Sequence, residues 1–318
     1  MTTAVPSRIA RAITRRHDEN FPVAFLLLPR DLRADMQAIY AFCRGVDDIG
    51  DEGHLYAASD TALGRPMSHP PGAAQTSPAA GAQAGTAIER LAALDAFEAD
   101  LHRCWDGEPH DARLQALART IRRHRMDPDP FLRLIEANRM DQRHSRWETY
   151  GDLIRYCHHS ATPVGRMVLE VLGQRGASRI GLSDHTCIGL QLVNFCQDIR
   201  RDLDERGRIY LPVEDMARFG VAEADLHEPR ASDSVRELVA FEVARARAEL
   251  VAGAPLWRLV PWRARLDIRM FSAGGLALCD AIARQGYDTL SRRPAPGRLG
   301  RARIAMDVLV GMLRRRPR

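Results

Sequence analysis

The 318-residue chain has no lysine: all 46 of its Lys and Arg residues are arginine, and against 41 Asp and Glu they leave a net charge of +5. Apart from its 11 histidines, every side chain that can bring positive charge to a ligand is therefore a guanidinium. No apolar run approaches the ~20 residues that cross a bilayer, which excludes an integral membrane helix. Alternating runs of β-branched residues are nearly absent, which excludes a sheet protein. No nucleic-acid-binding motif accompanies the positive charge, and nucleic acid is not an expected partner. No Gly-rich dinucleotide fingerprint is present. The six cysteines, Cys43, Cys104, Cys157, Cys187, Cys196 and Cys279, lack paired metal-ligand spacing and follow no secretory leader. They read as reduced core residues of a cytosolic protein.

What is present is helical periodicity. Apolar residues recur at period 3.6 over Leu32–Val46, Ala87–Leu101, Leu114–Ile121, Leu153–Leu172, Asp184–Leu203, Val235–Leu250, Ile268–Ala283 and Ile304–Leu313. With 45% apolar residues to fill a core, this predicts an all-α fold in one domain. Residues 57–86, rich in Ala, Gly, Pro, Ser and Thr, cannot bury enough surface to fold alone and are expected as a flexible surface insert. Pro128-Asp129-Pro130, Gly173 to Gly176, Gly253-Ala254-Pro255 and Pro294-Ala295-Pro296 punctuate the rest. The chain ends in Arg314-Arg315-Arg316-Pro317-Arg318, a basic tail that reads first as a solvated end and otherwise as attraction to an anionic membrane face or to diphosphate substrates.

Two acidic segments carry the chemistry. In Cys43-Arg44-Gly45-Val46-Asp47-Asp48-Ile49-Gly50-Asp51, Asp47 and Asp51 are four apart and share a helix face, with Arg44 one turn earlier, close to Asp48. Alone, the stretch reads just as well as a helix end dissolving into solvent. In the second, Gln191, Asn194, Asp198 and Asp202 form a polar stripe on a helix otherwise rich in Leu, Val, Ile and Phe. That stripe faces either water or a site where cations separate the carboxylates. Taken together the helices are more specific. Mg²⁺ prefers hard oxygen ligands and is commonly shared between one or two carboxylates and substrate phosphates. Two facing Asp-bearing helices over an apolar pocket would suit ionisation of a diphosphate ester, with the pocket excluding water from a carbocation.

The chain resembles the squalene/phytoene synthase family over nearly its whole length outside the insert. Three blocks carry the resemblance: His17-Asp18-Glu19-Asn20-Phe21-Pro22-Val23-Ala24-Phe25 leading to Leu28-Pro29; the Cys43 to Glu52 segment; and Gln191 to Asp202 followed by Gly207-Arg208-Ile209-Tyr210-Leu211-Pro212. The resemblance implies an isoprenoid-synthase helical bundle around a central apolar cavity. It implies that Asp47, Asp51, Asp198 and Asp202 serve Mg²⁺, with Asp48 and Asn194 in support. It also implies that His17, Arg44 and Tyr210 contact the diphosphate of a prenyl substrate, that Gln191 lines the cavity beside it, and that Tyr156 faces the cavity as a catalytic group. At Ser160-Ala161-Thr162-Pro163 the sequence departs from the commoner Val-Ala-Gly of the family, and the proline is expected to kink its helix and free carbonyls toward the site. This departure and the Asn20 to Ala24 opening look like the bacterial hopanoid-pathway branch. Its members hydrate presqualene diphosphate to hydroxysqualene without NADPH. Head-to-head joining of two farnesyl or geranylgeranyl diphosphates is the alternative within the family. A non-catalytic helical lipid-binding or assembly protein is the alternative outside it. The expected location is cytoplasmic, with peripheral membrane contact and contact with other hopanoid-pathway enzymes left open.

Overall fold

The architecture follows from where the apolar residues fall. In a computed structural model, which describes residues 27–52 and 80–297, every regular element is helical and no strand occurs among the described residues. Helix α1 (Arg30–Glu52) buries Met36, Ile39, Phe42, Val46 and Ile49 at three- and four-residue intervals. Leu94, Phe97, Leu101 and Cys104 of α2 (Ala80–Asp106) do the same, and Phe42 stacks on Phe97 at 5.9 Å. The first seven residues of α2, 80–86, are the end of the stretch expected as an insert; residues 57–79 lie outside the described residues, as do His17, Ile304–Leu313 and the tail at 314–318. Helix α3 (Ala112–His124) starts where the Asp111 side chain accepts from the Arg113 N–H, and α4 (Asp129–Arg143) starts on Pro130.

The run predicted over Leu153–Leu172 is two helices, α5 (Tyr150–Ser160) and α6 (Thr162–Val171), broken at Ala161 just ahead of Pro163. The break frees less backbone toward the site than expected, because Thr162 Oγ1 donates to the His158 carbonyl at 3.2 Å. The run predicted over Asp184–Leu203 is likewise divided, into α7 (Ala177–Gln197) and α8 (Ile199–Arg206), with Asp198 itself at the junction. After α9 (Val213–Arg218), the long helices α10 (Asp233–Gly253) and α11 (Arg265–Arg284) complete the body. Here glycines set the spacing: a Cβ at Gly189 of α7 would lie 2.7 Å from Leu250 of α10, and one at Gly275 of α11 2.8 Å from the same leucine. Helices α7 and α10 thus approach to backbone contact, while the α11 backbone closes on the side chains of Leu250 and Leu190.

Two cores result. One gathers α1 to α4, α6 and residues 256–268, which include the start of α11; the other gathers α5, α7, α8, α10, the rest of α11 and the 209–231 connection, with Ala137 of α4. All six cysteines are free thiols, four of them buried. No helix among the described residues is long and apolar enough to cross a membrane.

Candidate active site

Between the two cores lies a cavity of about 600 Å³. Its inner wall is apolar, with Met36, Ile39 and Cys43 from α1, Val164 and Val168 from α6, Leu190 and Phe195 from α7, and Phe271 from α11. Its mouth is charged. Asp47 and Asp51 reach it from α1, Gln191, Asn194 and Asp198 from α7 and its end, and Asp202 from α8. The two acidic segments therefore meet across one opening, and a single residue documents how closely: Arg206 donates from Nη2 to Asp51 Oδ2 at 3.0 Å and from Nη1 to Asp202 Oδ1 at 3.2 Å. Arg208 adds a contact to Asp51 at 3.4 Å, and Arg293 holds Asp198 through both carboxylate oxygens. Arg44 lies 3.7 Å from Asp47 and 3.6 Å from Asp48.

The carboxylates at the mouth are short of positive charge even so. Asp47 is pushed up to about 7, first by its enclosure in the mouth and then by Asp51 and Asp48, against the pull of Arg44 and Asn138. Its side chain keeps 43% of its surface, but that surface opens into the cavity. Asp202 is also pushed up to about 7, by burial and then by Asp198, against Arg206, Arg201 and Arg208. Beside them the Asn194 Oδ1 is buried without any donor, an exposed need in a wall where polar atoms are normally paired. Hard oxygens crowded at one opening, one of them an orphan acceptor, are the donor set a divalent magnesium ion takes. Among the described residues no three acidic, His or Cys ligands are already gathered around one point; Arg206 bridges Asp51 and Asp202, and Arg293 pairs with Asp198.

Two expected residues stand elsewhere, and a third is not among the described residues. Asp48 does not line the cavity and pairs with Arg44. Tyr156, expected at the cavity wall, stands one layer behind it, only 4% exposed, with its ring 5.6 Å from that of Tyr210. Bulk explains the displacement: Phe195 and Tyr210, stacked at 4.1 Å, occupy the wall that Tyr156 backs. The third, His17, falls outside the described residues.

The cavity also has groups that the motif spacing did not reveal. Asp141 of α4 lines it and accepts from Tyr156 Oη at 2.8 Å and Tyr210 Oη at 3.0 Å, with Arg208 at 3.6 Å. Burial raises the Asp141 carboxyl, opposed by Arg208 and the two phenols, and both phenols are raised well above their ordinary value. Asn138, one turn before Asp141, donates to Asp47 at 3.4 Å. That approach depends on Gly50, where any Cβ would overlap the Asn138 amide. Arg206 stands four residues after Asp202 and Arg208 within the Gly207 to Pro212 block, so both were adjacent to recognised motifs; Arg293 carried no signal of its own.

A helical body with a charged, cation-seeking mouth over an apolar chamber marks out a class of protein whose shape suits a ligand with an anionic head and an apolar tail. The sequence profile of the squalene/phytoene synthase family matches residues 14–300, and the chain belongs to that family. It is 31% identical over 294 residues to 15-cis-phytoene synthase of Synechococcus elongatus, covering 89% of this chain and 85% of that one. Among solved structures, squalene synthase HpnC from Alicyclobacillus acidocaldarius is 41% identical, with a TM-score of 0.72 and 89% of this chain and 94% of that one covered. A ligand-bound dehydrosqualene synthase, 23% identical with a TM-score of 0.79 over 97% of both chains, has the same fold. Members of the family process prenyl diphosphates.

Proposed function

We propose that this protein is a hydroxysqualene synthase, converting presqualene diphosphate and water to hydroxysqualene and diphosphate in hopanoid biosynthesis. The observation that carries the reading is the clasp of Asp51 and Asp202 on Arg206 at the mouth of an apolar cavity. The higher identity to a squalene-type relative, 41% against 31% to a phytoene synthase, favours a C30 over a C40 product. Asp47, Asp51, Asn194, Asp198 and Asp202 would hold Mg²⁺, with Asp48 supporting through Arg44. When bound, the metal supplies Lewis-acid neutralisation of the diphosphate leaving group. Arg44, Arg206, Arg208 and Arg293, with His17, donate to diphosphate oxygens, the guanidinium fork suiting two parallel bonds. The C–O bond on the carbon attached to the cyclopropane breaks with its electron pair leaving on diphosphate, and the cyclopropyl cation rearranges, a ring C–C bond opening before water adds. Phe195, Tyr210 and Phe271 present π faces to the cation that remains, and Gln191 flanks it. Asp141 fixes the Tyr210 hydroxyl, and Tyr156 acts from behind through that same carboxylate. Water forms the new C–O bond, and its proton passes to the departing diphosphate. No hydride is consumed, so no NADPH is required.

Phytoene synthases among the relatives favour a second reading, head-to-head condensation of two prenyl diphosphates. Purified protein given Mg²⁺ with presqualene, farnesyl or geranylgeranyl diphosphate separates the two by mass spectrometry of the products. Hydroxysqualene from presqualene diphosphate, labelled by ¹⁸O-water, is the expected result. Phytoene from geranylgeranyl diphosphate, with presqualene diphosphate untouched, would overturn it.

A further inference from the structure

Away from the cavity, the connection between α10 and α11 has an unusual make-up. Residues 251–266 contain Arg258, Arg263 and Arg265 and no carboxylate. Leu256, Val260 and Ala264, four residues apart, are buried in the first core and seat the segment firmly. Its backbone is closed as well: the Ala264 N–H donates to the Pro261 carbonyl at 2.9 Å, and Arg179 Nε to the Leu259 carbonyl at 3.0 Å. The residues between these anchors are thus held outward. Trp262 is 63% exposed, Val251 58% and Leu259 41%, among the few large apolar side chains that the described surface leaves in water. Arg263 stands over the Trp262 ring at 5.2 Å and Arg258 over Trp257 at 5.4 Å. Among the described residues neither of these two arginines is paired with a carboxylate.

An occupant must satisfy both features, apolar tips and unpaired cations. A second copy on a two-fold axis would set the same arginines against each other. A few protruding side chains also offer much less than the roughly 800 Å² per partner of a stable protein interface. A bilayer interface accepts tips of this kind: tryptophan favours the headgroup level, and arginine stems lie along apolar surface while their heads meet phosphate. We propose that the 251–266 surface docks this protein on an anionic lipid bilayer, with Trp262 and Leu259 entering the interface and Arg258 and Arg263 on the lipid phosphates. The docking surface is separate from the cavity and holds whichever prenyl diphosphate the cavity takes.

Co-sedimentation of the full chain with phosphatidylcholine vesicles, and with vesicles mixed with phosphatidylglycerol, tests this. The wild type binds the mixed vesicles and releases with salt. Arg258→Gln with Arg263→Gln lowers that binding about 30-fold, each surface arginine contributing about a factor of five near an anionic bilayer. Trp262→Ser with Leu259→Ser lowers it at least about tenfold, since each lost apolar side chain forfeits interfacial burial. Both doubles retain the wild-type helical circular dichroism and turnover of detergent-dispersed substrate, and removing Arg314 to Arg318 leaves the dependence on Trp262 in place. Equal binding by the wild type and both doubles overturns the proposal. So does a wild type that ignores mixed vesicles, including one that instead self-associates through Trp262 in sedimentation velocity.

Discussion

Gly50 shows how one absent methyl group serves the site. It lets Asn138 reach Asp47 across from another helix, while Gln142 of the same helix donates to the Gly50 carbonyl at 2.9 Å. Gly50→Ala must displace Asn138 and is expected to destabilise the fold by about 1–3 kcal/mol, as overpacking does, and to lower turnover more than tenfold. Gly181, within α7, has nothing within 4 Å of an added Cβ. Gly181→Ala is expected to raise stability by ~0.5–1 kcal/mol through the lost freedom of the unfolded chain, with turnover unchanged. Denaturant unfolding and steady-state assays on the pair check both. A Gly50→Ala enzyme as active and stable as the wild type would mean that Asn138 does not position Asp47.

At the scale of elements, the acidic helices were legible in the sequence and their neighbours were not. Asp47 and Asp51, and Asn194, Asp198 and Asp202, repeat at helical spacing, so their shared face could be read from one strand of text. Asp141 and Asn138 could not, because their meaning comes from α4 lying against α1. That helix was itself obscured: Pro128-Asp129-Pro130 reads as a breaker, yet Pro130 sits in the first turn, where its missing N–H costs nothing. Tyr156 was placed by resemblance, which could not tell the wall from the layer behind it. Nor does periodicity reveal the junction at Asp198, since the 3.6-residue pattern runs through it.

Another element-scale feature is a buried acid on α10. Glu242 is 3% exposed and is pushed up to about 8 by burial, relieved by Arg245 at 2.9 Å and aggravated by Asp215 of α9. A folded value above the unfolded one means that the folded chain binds the proton more tightly. Its stabilising effect is complete below about pH 4.5 and is lost as pH rises toward 8. Thermal melts across that window should show the wild type losing more stability than Glu242→Gln does. Parallel curves would show that Glu242 keeps its charge in the fold.

For the whole molecule, the two cores flank the apolar hollow to which the proposed function assigns the substrate's hydrocarbon. Val168 of α6 lines its apolar wall. Val168→Phe directs the added ring into open space rather than into a packed core, so the melting temperature should stay within a few degrees. Turnover of a C30 substrate should fall more than tenfold with a raised KM, since hydrophobic tail binding is lost. Unchanged kinetics would place the hydrocarbon elsewhere.

The central claim is that α1 and the α7–α8 pair converge to bind diphosphate through magnesium. Calorimetric titration of inorganic diphosphate into the protein, with and without Mg²⁺, tests it most directly, using wild type, Asp51→Asn and Asp202→Asn. The account predicts binding that requires Mg²⁺ and is lost in both variants, although the substituted residues lie on different helices. Metal-independent binding, or binding that survives either substitution, would contradict it.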